Sequence, residues 1–377
     1  MLNNLNNGSK ICVIGAGNGG LAAAADLTIR GNKVTLFELP EFEHTLTDIK
    51  KIGGLYLETM ESSNLLGGYA NLYKITNKIE DALEESEIVL IIVPAFAHRR
   101  IAEVCAKHLK REHIVVLAPS NMGGSIEFYN SIIENGGEKD VIISEFECMM
   151  YACRKIKSDT VYIRGYKYNL GFSTFPSSQT DKVFNKVKNI YPEIIKRNNV
   201  LETGMSNCNP ILHVPILLFN LSLIDNKINT LMYHEAFTNS IGNIITRLDE
   251  ERCSLNNTTK DINLVSLKNV IKCWYSHQGA RGTSFVEIVG KNPIYYASKL
   301  PSSLNHRYIT EDVPFGLIPM LSFLKKFEGK SRNIQSLVDL VCVTTGNDYY
   351  QNARTIGTLK LEGMSKKEII SYVKNRA

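Results

Sequence analysis

The sequence lacks the features that are typical of membrane, secreted and nucleic-acid-binding proteins. No apolar run approaches the roughly 20 residues that a bilayer-spanning helix needs, and the first ten residues are polar and rich in asparagine, unlike a secretory signal. Lys and Arg total 43 against 38 Asp and Glu, which gives a formal net charge of +5, and no stretch is densely basic. We therefore expect a cytoplasmic protein with no nucleic-acid or membrane partner.

The chain also lacks the cysteine spacings of a metal site. Its eight cysteines are scattered, none forms a Cys-x-x-Cys pair, and no histidines follow at the spacing that zinc sites use. Cys12 falls inside a predicted buried strand. We expect reduced thiols and no bound metal.

The length and the pattern of apolar residues predict two domains, because 377 residues exceed what one hydrophobic core usually organises. Apolar runs without polar alternation predict strands that are covered on both faces, as in a parallel sheet between helices. They are Lys10–Ile14, Lys33–Glu38, Ile88–Val93, Ile114–Ala118 and Val141–Ser144, followed by the strand candidates Val161–Gly165 and Leu170–Phe175. Helices are predicted between them at Leu21–Arg30, Ile101–Leu109, Ile126–Glu134 and Gln179–Tyr191.

Beyond Gly204 strand signals largely vanish, and long helical patterns take over. The predicted helices are Ile216–Ile228, His234–Cys253, Asn263–Tyr275, Phe315–Phe327 and Ile334–Val343. We therefore predict an α/β domain with a doubly wound, mainly parallel sheet over residues 1–204, followed by an all-α domain over residues 205–377.

A glycine-rich turn between the first strand and the first helix predicts a dinucleotide site. Gly15-Ala16-Gly17-Asn18-Gly19-Gly20 fits the pattern G-x-G-x-x-G. Gly15 permits the tight turn, Gly17 lets the backbone approach a pyrophosphate, and Gly20 lets the helix pack closely on the strand. The free N–H groups of the helix N-terminus then face the phosphates. This context indicates a Rossmann domain.

Further positions along the first domain extend the predicted cofactor site. Glu38 ends the second strand, where a carboxylate accepts hydrogen bonds from the adenosine ribose and repels a 2′-phosphate, so NAD is favoured over NADP. Val93 and Pro94 close a later strand at the carboxyl edge of the sheet, where ligands bind. His98 follows closely and could line the nicotinamide side, although a helix-start histidine in contact with water is the favoured interpretation.

Reduction of C=O or C=N by a nicotinamide enzyme needs a proton donor, and histidine is the commonest one near neutral pH. His213 stands out, because it opens an otherwise apolar helix, and at helical spacing it shares a face with Asn209 and Asn220. Pro215 should kink this helix. The alternative is a core histidine whose ring bonds a backbone carbonyl.

A second polar segment, residues 304–316, carries Arg307 and Asp312. In the simplest interpretation Asp312 is the N-cap of a helix that begins near Pro314, and Arg307 is a solvated loop cation. In the functional interpretation both belong to an active site. Taken alone, the segment leaves both open.

Several motifs together resemble the opine dehydrogenase family. They are the Gly-Ala-Gly-Asn-Gly-Gly turn, the strand Ile88–Val93 leading into Pro94-Ala95-Phe96-Ala97-His98, Asn209-Pro210-x-x-His213, and Arg307-Tyr308-x-x-Glu311-Asp312-Val313. The resemblance runs from Lys10 almost to the C-terminus and includes Trp274-Tyr275 and Gly290-Lys291-Asn292-Pro293. The chain is similar to bacterial members that act on amino acids, the N-(1-carboxyethyl)-amino acid dehydrogenases.

The resemblance implies an NAD-dependent oxidoreductase acting on CH–NH donors. It would join an amino acid to a 2-oxo acid such as pyruvate and reduce the resulting imine. His213 would protonate or polarise the acceptor, Asp312 would orient and stabilise His213, and Arg307 would hold the oxo-acid carboxylate in a two-pronged hydrogen bond. Trp274 and Tyr275 could contact the amino-acid side chain, although core packing is favoured for such a pair. A homodimer is the default assembly.

Two rival functions stay open at this point. A 2-oxo-acid or ketopantoate-type reductase shares the Rossmann domain followed by helices, but such enzymes usually rely on a lysine donor, so the pairing of His213 with Asp312 counts against it. A non-catalytic NAD-binding sensor has no need of Arg307, His213 and Asp312 in one cleft.

Overall fold

The computed structural model describes residues 8–376 and divides the chain into two compact units. The first unit comprises the chain up to Ser120 together with Gly124–Lys196, and the second comprises Asn121–Gly123 and the chain from Arg197 onward. The boundary expected from the sequence lies at residue 204, whereas this division falls at residue 196. Residues 1–7, on which the expectation of no secretory signal largely depends, lie outside the described range.

The described part of the first unit contains twelve strands in two sheets. In chain order they are β1 Lys10–Ile14, β2 Lys33–Phe37, β3 Gly54–Thr59, β4 Gly68–Asn71, β5 Lys74–Thr76, β6 Ile88–Ile91, β7 Ile114–Leu117, β8 Ile142–Phe146, β9 Tyr151–Lys157, β10 Thr160–Tyr166, β11 Leu170–Phe175 and β12 Ile194–Lys196. Each of the seven predicted strands coincides with one of these to within two residues at either end.

The larger sheet has eight strands in the order β12-β11-β8-β7-β6-β1-β2-β5. All neighbours pair in parallel except β11 and β8, which are antiparallel. The chain moves outward from β1 to β2 and later returns to β6 on the other side of β1, so the strand order reverses there. Crevices that bind ligands form at the carboxyl ends of strands beside such a switch point, and the glycine-rich turn follows β1.

Six α-helices accompany these strands. They are α1 Asn18–Ile29, α2 Thr47–Ile52, α3 Ile79–Leu83, α4 His98–Cys105, α5 Gly124–Glu134 and α6 Thr180–Ile190. Short 3-10 helices span Pro40–Leu46, Glu61–Ser63, Ala95–Ala97 and Ser177–Gln179. Side chains from β1, β6 and β7 pack with those of α4 and α5 into one buried apolar cluster. Each large aliphatic side chain buried in this way contributes about 1.5–3 kcal/mol to stability.

A second, four-stranded sheet in the order β4-β3-β10-β9 was not predicted as a separate layer. The predicted strand at residues 161–165 belongs to it, as part of β10, and not to the larger sheet. Helix α1 contacts β1 and β2 on one side and all four strands of the small sheet on the other. Its residues Gly20–Leu27 are consequently all buried, and its run of alanines fits because small side chains allow two sheets to approach one helix.

In the second unit, the described residues form ten α-helices and no strand beyond one isolated β-bridge. The helices are α7 Val200–Ser206, α8 Asn209–Leu218, α9 Leu221–Asp225, α10 Asn239–Cys253, α11 Leu267–Tyr275, α12 Phe285–Gly290, α13 Arg307–Thr310, α14 Ile318–Lys326, α15 Arg332–Thr345 and α16 Lys366–Asn375. Short 3-10 helices span Ser254–Asn257, Ser276–Gln278 and Pro293–Tyr295, and a π-helical turn spans Val313–Leu317. The expected all-α domain is therefore confirmed.

Some helices in this unit begin or end at residues other than those that the apolar periodicity predicts. The predicted helix at residues 234–253 starts only at Asn239, because the hydroxyl of Thr238 accepts a hydrogen bond from Ile241 N–H and caps α10 there. The predicted helix at residues 216–228 is wrong as a single element. Helix α8 ends at Leu218, and α9 begins after Asn220.

Two further features concern the whole described chain. None of its helices combines the length and apolarity needed to cross a membrane. All eight cysteines lie within residues 8–376, and each is a free thiol.

Candidate active site

The glycine-rich turn after β1 has the geometry that a dinucleotide site requires. Gly15 has φ +110°, and a Cβ there would lie 2.5 Å from the carbonyl oxygen of Ile92. A Cβ on Gly20 would lie 1.7 Å from the carbonyl oxygen of Gly15. Gly17 is exposed, and a Cβ there would meet no atom within 4 Å. Gly15 and Gly20 are therefore required by the fold, whereas Gly17 keeps an open surface.

The start of α1 offers backbone donors to an anion. Gly17 is the N-cap, no side chain caps the helix, and the first turn carries no acidic residue. Glu38 lies just beyond β2, and its Oε2 accepts a hydrogen bond from Ala16 N–H at 2.7 Å. Its Oε1 accepts one from Leu39 N–H at 2.9 Å. These bonds fix the carboxylate beside the turn, where a ribose would be recognised, and the residues fit NAD.

Other residues of the predicted cofactor set support the turn. Asn18 Oδ1 accepts a hydrogen bond from Lys155 N–H at 2.8 Å, which fastens the start of α1 to β9. A Cβ on Gly19 would lie 2.9 Å from Ile92 Cγ2, so this position is also tightly packed. Val93 and Pro94 are half-buried and follow β6 at the carboxyl edge of the sheet. Their contact with the cofactor stays a prediction.

His98 begins α4, and its favoured interpretation as a histidine in contact with water is wrong, because the side chain has no exposed surface. It lies at helical spacing with Ile101, Ala102 and Cys105, which are the other buried residues of α4. The ring therefore faces the interior of the first unit.

In the second unit, His213 and Asp312 form a buried pair. His213 lies on α8, and its Nδ1 is 2.7 Å from Oδ2 of Asp312, although the two residues are 99 positions apart in the sequence. Each is only 8% exposed. Asp312 stands at the N-cap position of the helical turn that begins at Val313, as the simplest interpretation predicted, but its side chain makes no capping hydrogen bond there. The imidazole therefore contacts a carboxylate, and not a backbone carbonyl as the alternative of a core histidine predicted.

Close packing brings the Asp312 segment to α8. Asp312 immediately precedes the π-helical turn, and a Cβ on Gly316 within that turn would lie 2.3 Å from Cγ of Pro210. Glycine at this position lets the turn rest directly on the first turn of α8, one helical turn before His213. The pair is therefore supported by a contact between Gly316 and the ring of Pro210 that no local sequence pattern reveals.

Asn220 does not extend the polar face of α8 that the sequence predicted, because the helix ends before it. Its amide donates instead to the carbonyl oxygens of Ile216 at 2.7 Å and Ala236 at 3.0 Å. Asn220 therefore closes the end of α8 and has no place beside His213.

Two features near the pair escaped the sequence analysis. The ring of Tyr308 is stacked on the imidazole of His213, with centroids 4.0 Å apart. Asn121 has a positive φ of 57° and accepts a short hydrogen bond from the amide of Asn207, and it donates to Glu311 at 3.4 Å. Tyr308 and Glu311 stand within the motif already quoted, which was the available signal. Asn121 had only its place after a predicted strand.

The remaining expected substrate residues have different surroundings. Arg307 is exposed and begins α13, on the same short helix as Tyr308. Trp274 and Tyr275 are 2% and 1% exposed, respectively. The ring of Tyr275 packs edge-on against Tyr295, as a core aromatic does. No cluster of metal-ligating side chains occurs among the described residues.

Comparison with known proteins matches each unit to a dehydrogenase family model. Residues 196–345 match the family described as NAD/NADP octopine/nopaline dehydrogenase, alpha-helical domain. Residues 10–136 match the N-terminus of NAD-dependent glycerol-3-phosphate dehydrogenase. An opine dehydrogenase from Arthrobacter sp. (strain 1C) is 28% identical over 362 residues, which cover 96% of this chain and 98% of the relative. The chain carries the α-helical domain of the octopine/nopaline dehydrogenases and is similar to an opine dehydrogenase over nearly its whole length.

Solved structures have the same fold over nearly the whole chain. Octopine dehydrogenase with NADH and L-arginine matches with a TM-score of 0.76 at 19% identity, and the form with NADH and pyruvate matches with 0.74 at 20%. Each match covers 96% of this chain and 98% of the other. The expected fold, a Rossmann-type domain with a mainly parallel sheet followed by an α-helical domain, is thereby confirmed.

These matches also confirm the predicted enzyme class. The chain is an NAD-dependent oxidoreductase that acts on CH–NH donors, and its cofactor is NAD. The non-catalytic sensor and the ketopantoate-type reductase are less well supported, because the α-helical domain matches the octopine/nopaline dehydrogenases. The roles of the individual site residues rest on their geometry and chemistry.

Proposed function

We propose that this protein catalyses the NADH-dependent reductive condensation of an amino acid with a 2-oxo acid such as pyruvate. The observation that carries the proposal is the buried pair of His213 and Asp312 in the α-helical domain. A reductase for C=N needs a proton donor whose charge is stabilised away from bulk water, and an imidazole supported by a carboxylate meets this need.

In this proposal the two nitrogens of His213 have separate tasks. Nδ1–H donates to Asp312 Oδ2, which fixes the tautomer and the direction of the ring. Nε2 then serves the substrate, where it polarises the oxo-acid carbonyl or protonates the nitrogen of the imine. Asp312 stabilises the charge on the ring while the proton is held there.

Arg307 is proposed to hold the carboxylate of the 2-oxo acid. Its guanidinium stands at the exposed start of α13, five positions before Asp312 in the sequence. A planar guanidinium binds a carboxylate through two parallel N–H···O bonds and so fixes its orientation, which a lysine cannot do. The same short segment would thus supply both the support for the proton donor and the clamp on the acceptor.

Bound NADH would supply the hydride that reduces the imine carbon. The residues proposed to hold it are Gly15–Gly20, whose backbone and helix start would bind the pyrophosphate, and Glu38, whose carboxylate would accept hydrogen bonds from the ribose hydroxyls. Val93 and Pro94 are proposed to line the nicotinamide side, at the carboxyl end of β6. The charge of Glu38 repels a 2′-phosphate, which favours NADH over NADPH.

The substrates, location and assembly are also proposals. Octopine dehydrogenase has been solved with L-arginine and with pyruvate, which supports an amino acid and a 2-oxo acid as the two substrates here. The free thiols favour the cytoplasm. A homodimer is the commonest assembly among soluble oligomers, and light scattering in solution measures it directly.

The test follows NADH oxidation by absorbance with pyruvate and pooled amino acids, beside pyruvate alone and beside the variant His213→Ala. We expect oxidation only when both substrates are present, and its loss in the variant. The matched control is His234→Ala, because His234 lies in the same unit but its ring contacts Tyr296. Oxidation with pyruvate alone would instead indicate a plain oxo-acid reductase, and full activity of His213→Ala would remove this residue from the mechanism.

A further inference from the structure

Tyr308 covers one face of the His213 ring. The two ring centroids are 4.0 Å apart, and the ring planes are inclined by 29°, so the rings are stacked face to face. His213 is buried, while Tyr308 is half-buried. The tyrosine therefore separates one face of the imidazole from its surroundings.

The stack and the carboxylate contact come from one stretch of chain. Tyr308 lies on α13, four positions before Asp312 in the sequence. Its backbone N–H donates to Nδ1 of His306, which caps this short helix, and the His306 ring meets the Tyr308 ring edge-on at 4.5 Å. The position of Tyr308 is thus fixed by contacts with His306 as well as with His213.

The two contacts restrict different motions of the imidazole. A single hydrogen bond from Nδ1 to Asp312 fixes one atom and leaves the ring able to tilt about the N···O direction. A ring stacked on the face opposes this tilt, because any tilt drives imidazole atoms into the tyrosine. Together they fix the direction in which Nε2 points.

We propose that Tyr308 is a positioning residue for His213, whose stacked ring holds the plane of the imidazole and stabilises its protonated form. The inference rests on the proposed function for the role of His213 as proton donor. A cation over the face of an aromatic ring is attracted by the negative charge of the π-system, and the attraction is stronger where water is excluded. A neutral imidazole gains much less, so the stack favours the proton-bearing state.

The elements that contact α8 carry further charged groups, among them Asp225 on α9. The segment that carries Tyr308 also carries Arg307, Glu311 and Asp312, and α10, which packs against α8, carries the buried ion pair Asp249 and Arg252. Glu311 is hydrogen-bonded to Asn121.

A second tyrosine also lies close to Asp312. The pKa of Tyr233 is raised by burial and by the neighbouring tyrosines and Asp312, so its hydroxyl stays neutral and adds no charge. His306 remains the neighbour whose own protonation could be confused with that of His213.

The experiment compares Tyr308→Phe, which keeps the ring, with Tyr308→Leu, which removes it. In Tyr308→Leu we expect the basic limb of the kcat profile for imine reduction to move to lower pH by about 0.4 to 1.5 pH units. The KM for NADH stays unchanged, and Tyr308→Phe keeps the wild-type profile. His306→Asn removes the neighbouring ionisable ring and so controls for its protonation, since asparagine also caps a helix start.

A second readout does not depend on turnover. NMR titration of the histidine ring protons, with His213 assigned through His213→Asn, should show its midpoint lowered by the same amount in Tyr308→Leu and unchanged in Tyr308→Phe. Should Tyr308→Leu fail to fold, Tyr308→Met fills the space without a π-face and takes its place.

The outcomes separate the two proposals. An unmoved midpoint and profile in the variant without the ring would overturn the role of Tyr308, and so would equal damage in Tyr308→Phe, because the hydroxyl would then be the active group. If the wild-type enzyme oxidised no NADH with any pair of substrates, the proposed function would fail, yet the NMR titration would still decide whether the stack stabilises the protonated ring.

Discussion

Replacement of Asp312 by asparagine tests the core of the proposed mechanism with little change in shape. The two side chains have nearly the same size, so the new amide can occupy the same buried position opposite Nδ1 of His213. What changes is the charge, because the amide cannot stabilise an imidazolium through a full negative charge and no longer selects the tautomer that carries the proton on Nδ1. An amide that donated to Nδ1 would hold the ring in the opposite tautomer.

The structure sets the size of the expected effect. The Nδ1···Oδ2 distance is 2.7 Å and both residues are buried, which is the geometry of a strong charge-assisted hydrogen bond. A bond to a charged partner contributes about 1.5–3 kcal/mol against about 0.5–1.5 kcal/mol for a neutral one. The difference of about 1–1.5 kcal/mol corresponds to roughly tenfold in rate. Reversal of the tautomer raises the loss to about 10²–10⁴ in kcat.

The assay measures NADH oxidation with saturating amino acid and 2-oxo acid in four proteins: the wild type, Asp312→Asn, His213→Ala and the double variant. If Asp312 acts only through His213, the double variant is no slower than His213→Ala alone, since residues that act as a unit are not additive. Thermal unfolding of each protein checks that the fold is intact. Wild-type kcat in Asp312→Asn, or losses that multiply in the double variant, would refute the reasoning.

Three further predictions concern other parts of the molecule. Gly20→Ala should destabilise the first unit, because its Cβ would lie 1.7 Å from a backbone oxygen. Gly17→Ala should keep the melting temperature, because its Cβ meets no protein atom within 4 Å, and should raise the KM for NADH, because the Cβ would hinder the approach of the pyrophosphate. Equal melting temperatures for the two variants would contradict this. Arg307→Lys should raise the KM for the 2-oxo acid about 10-fold or more with little change in the KM for NADH, since lysine cannot form the two-pronged bond, and an unchanged KM would exclude the clamp. Burial lowers the pKa of His113, whose Nδ1 accepts a hydrogen bond from Lys110 N–H at 2.9 Å, so its contribution to stability is present above a pH of about 6.5 and is lost as the pH falls below it. His113→Gln should therefore flatten the fall in melting temperature between about pH 7 and 5. The same slope of melting temperature against pH in the variant and the wild type would count against this.

Much of the first unit could be predicted because its strands are buried on both faces and read as uninterrupted apolar runs. The small sheet was missed for the opposite reason. Strands such as β4 and β9 are partly exposed, so they lack that pattern. The signal that could have found this layer is α1, whose interior residues are apolar nearly all round. A helix with no polar face must be covered on both sides.

In the second unit, periodicity located helices but not their ends. Capping by Thr238 shortened α10, and α13 is too short to produce a periodic pattern. His98 illustrates the converse, since its spacing with Ile101, Ala102 and Cys105 marks it as a buried residue and was available in the sequence.

The sequence by itself determined the features that depend on residues close together in the chain. Local steric requirements specify the strand, turn and helix around Gly15–Gly20. The same segment also contains the residue types that NAD binding needs. The tertiary structure alone decided whether Asp312 caps a helix or supports His213, and that Tyr308 covers the imidazole. An aspartate can cap a helix or support a histidine, and a tyrosine can pack in a core or cover an active-site ring. The choice depends on how closely Gly316 packs on Pro210, a contact between segments about a hundred positions apart, whose distance is set by packing and not by any local pattern.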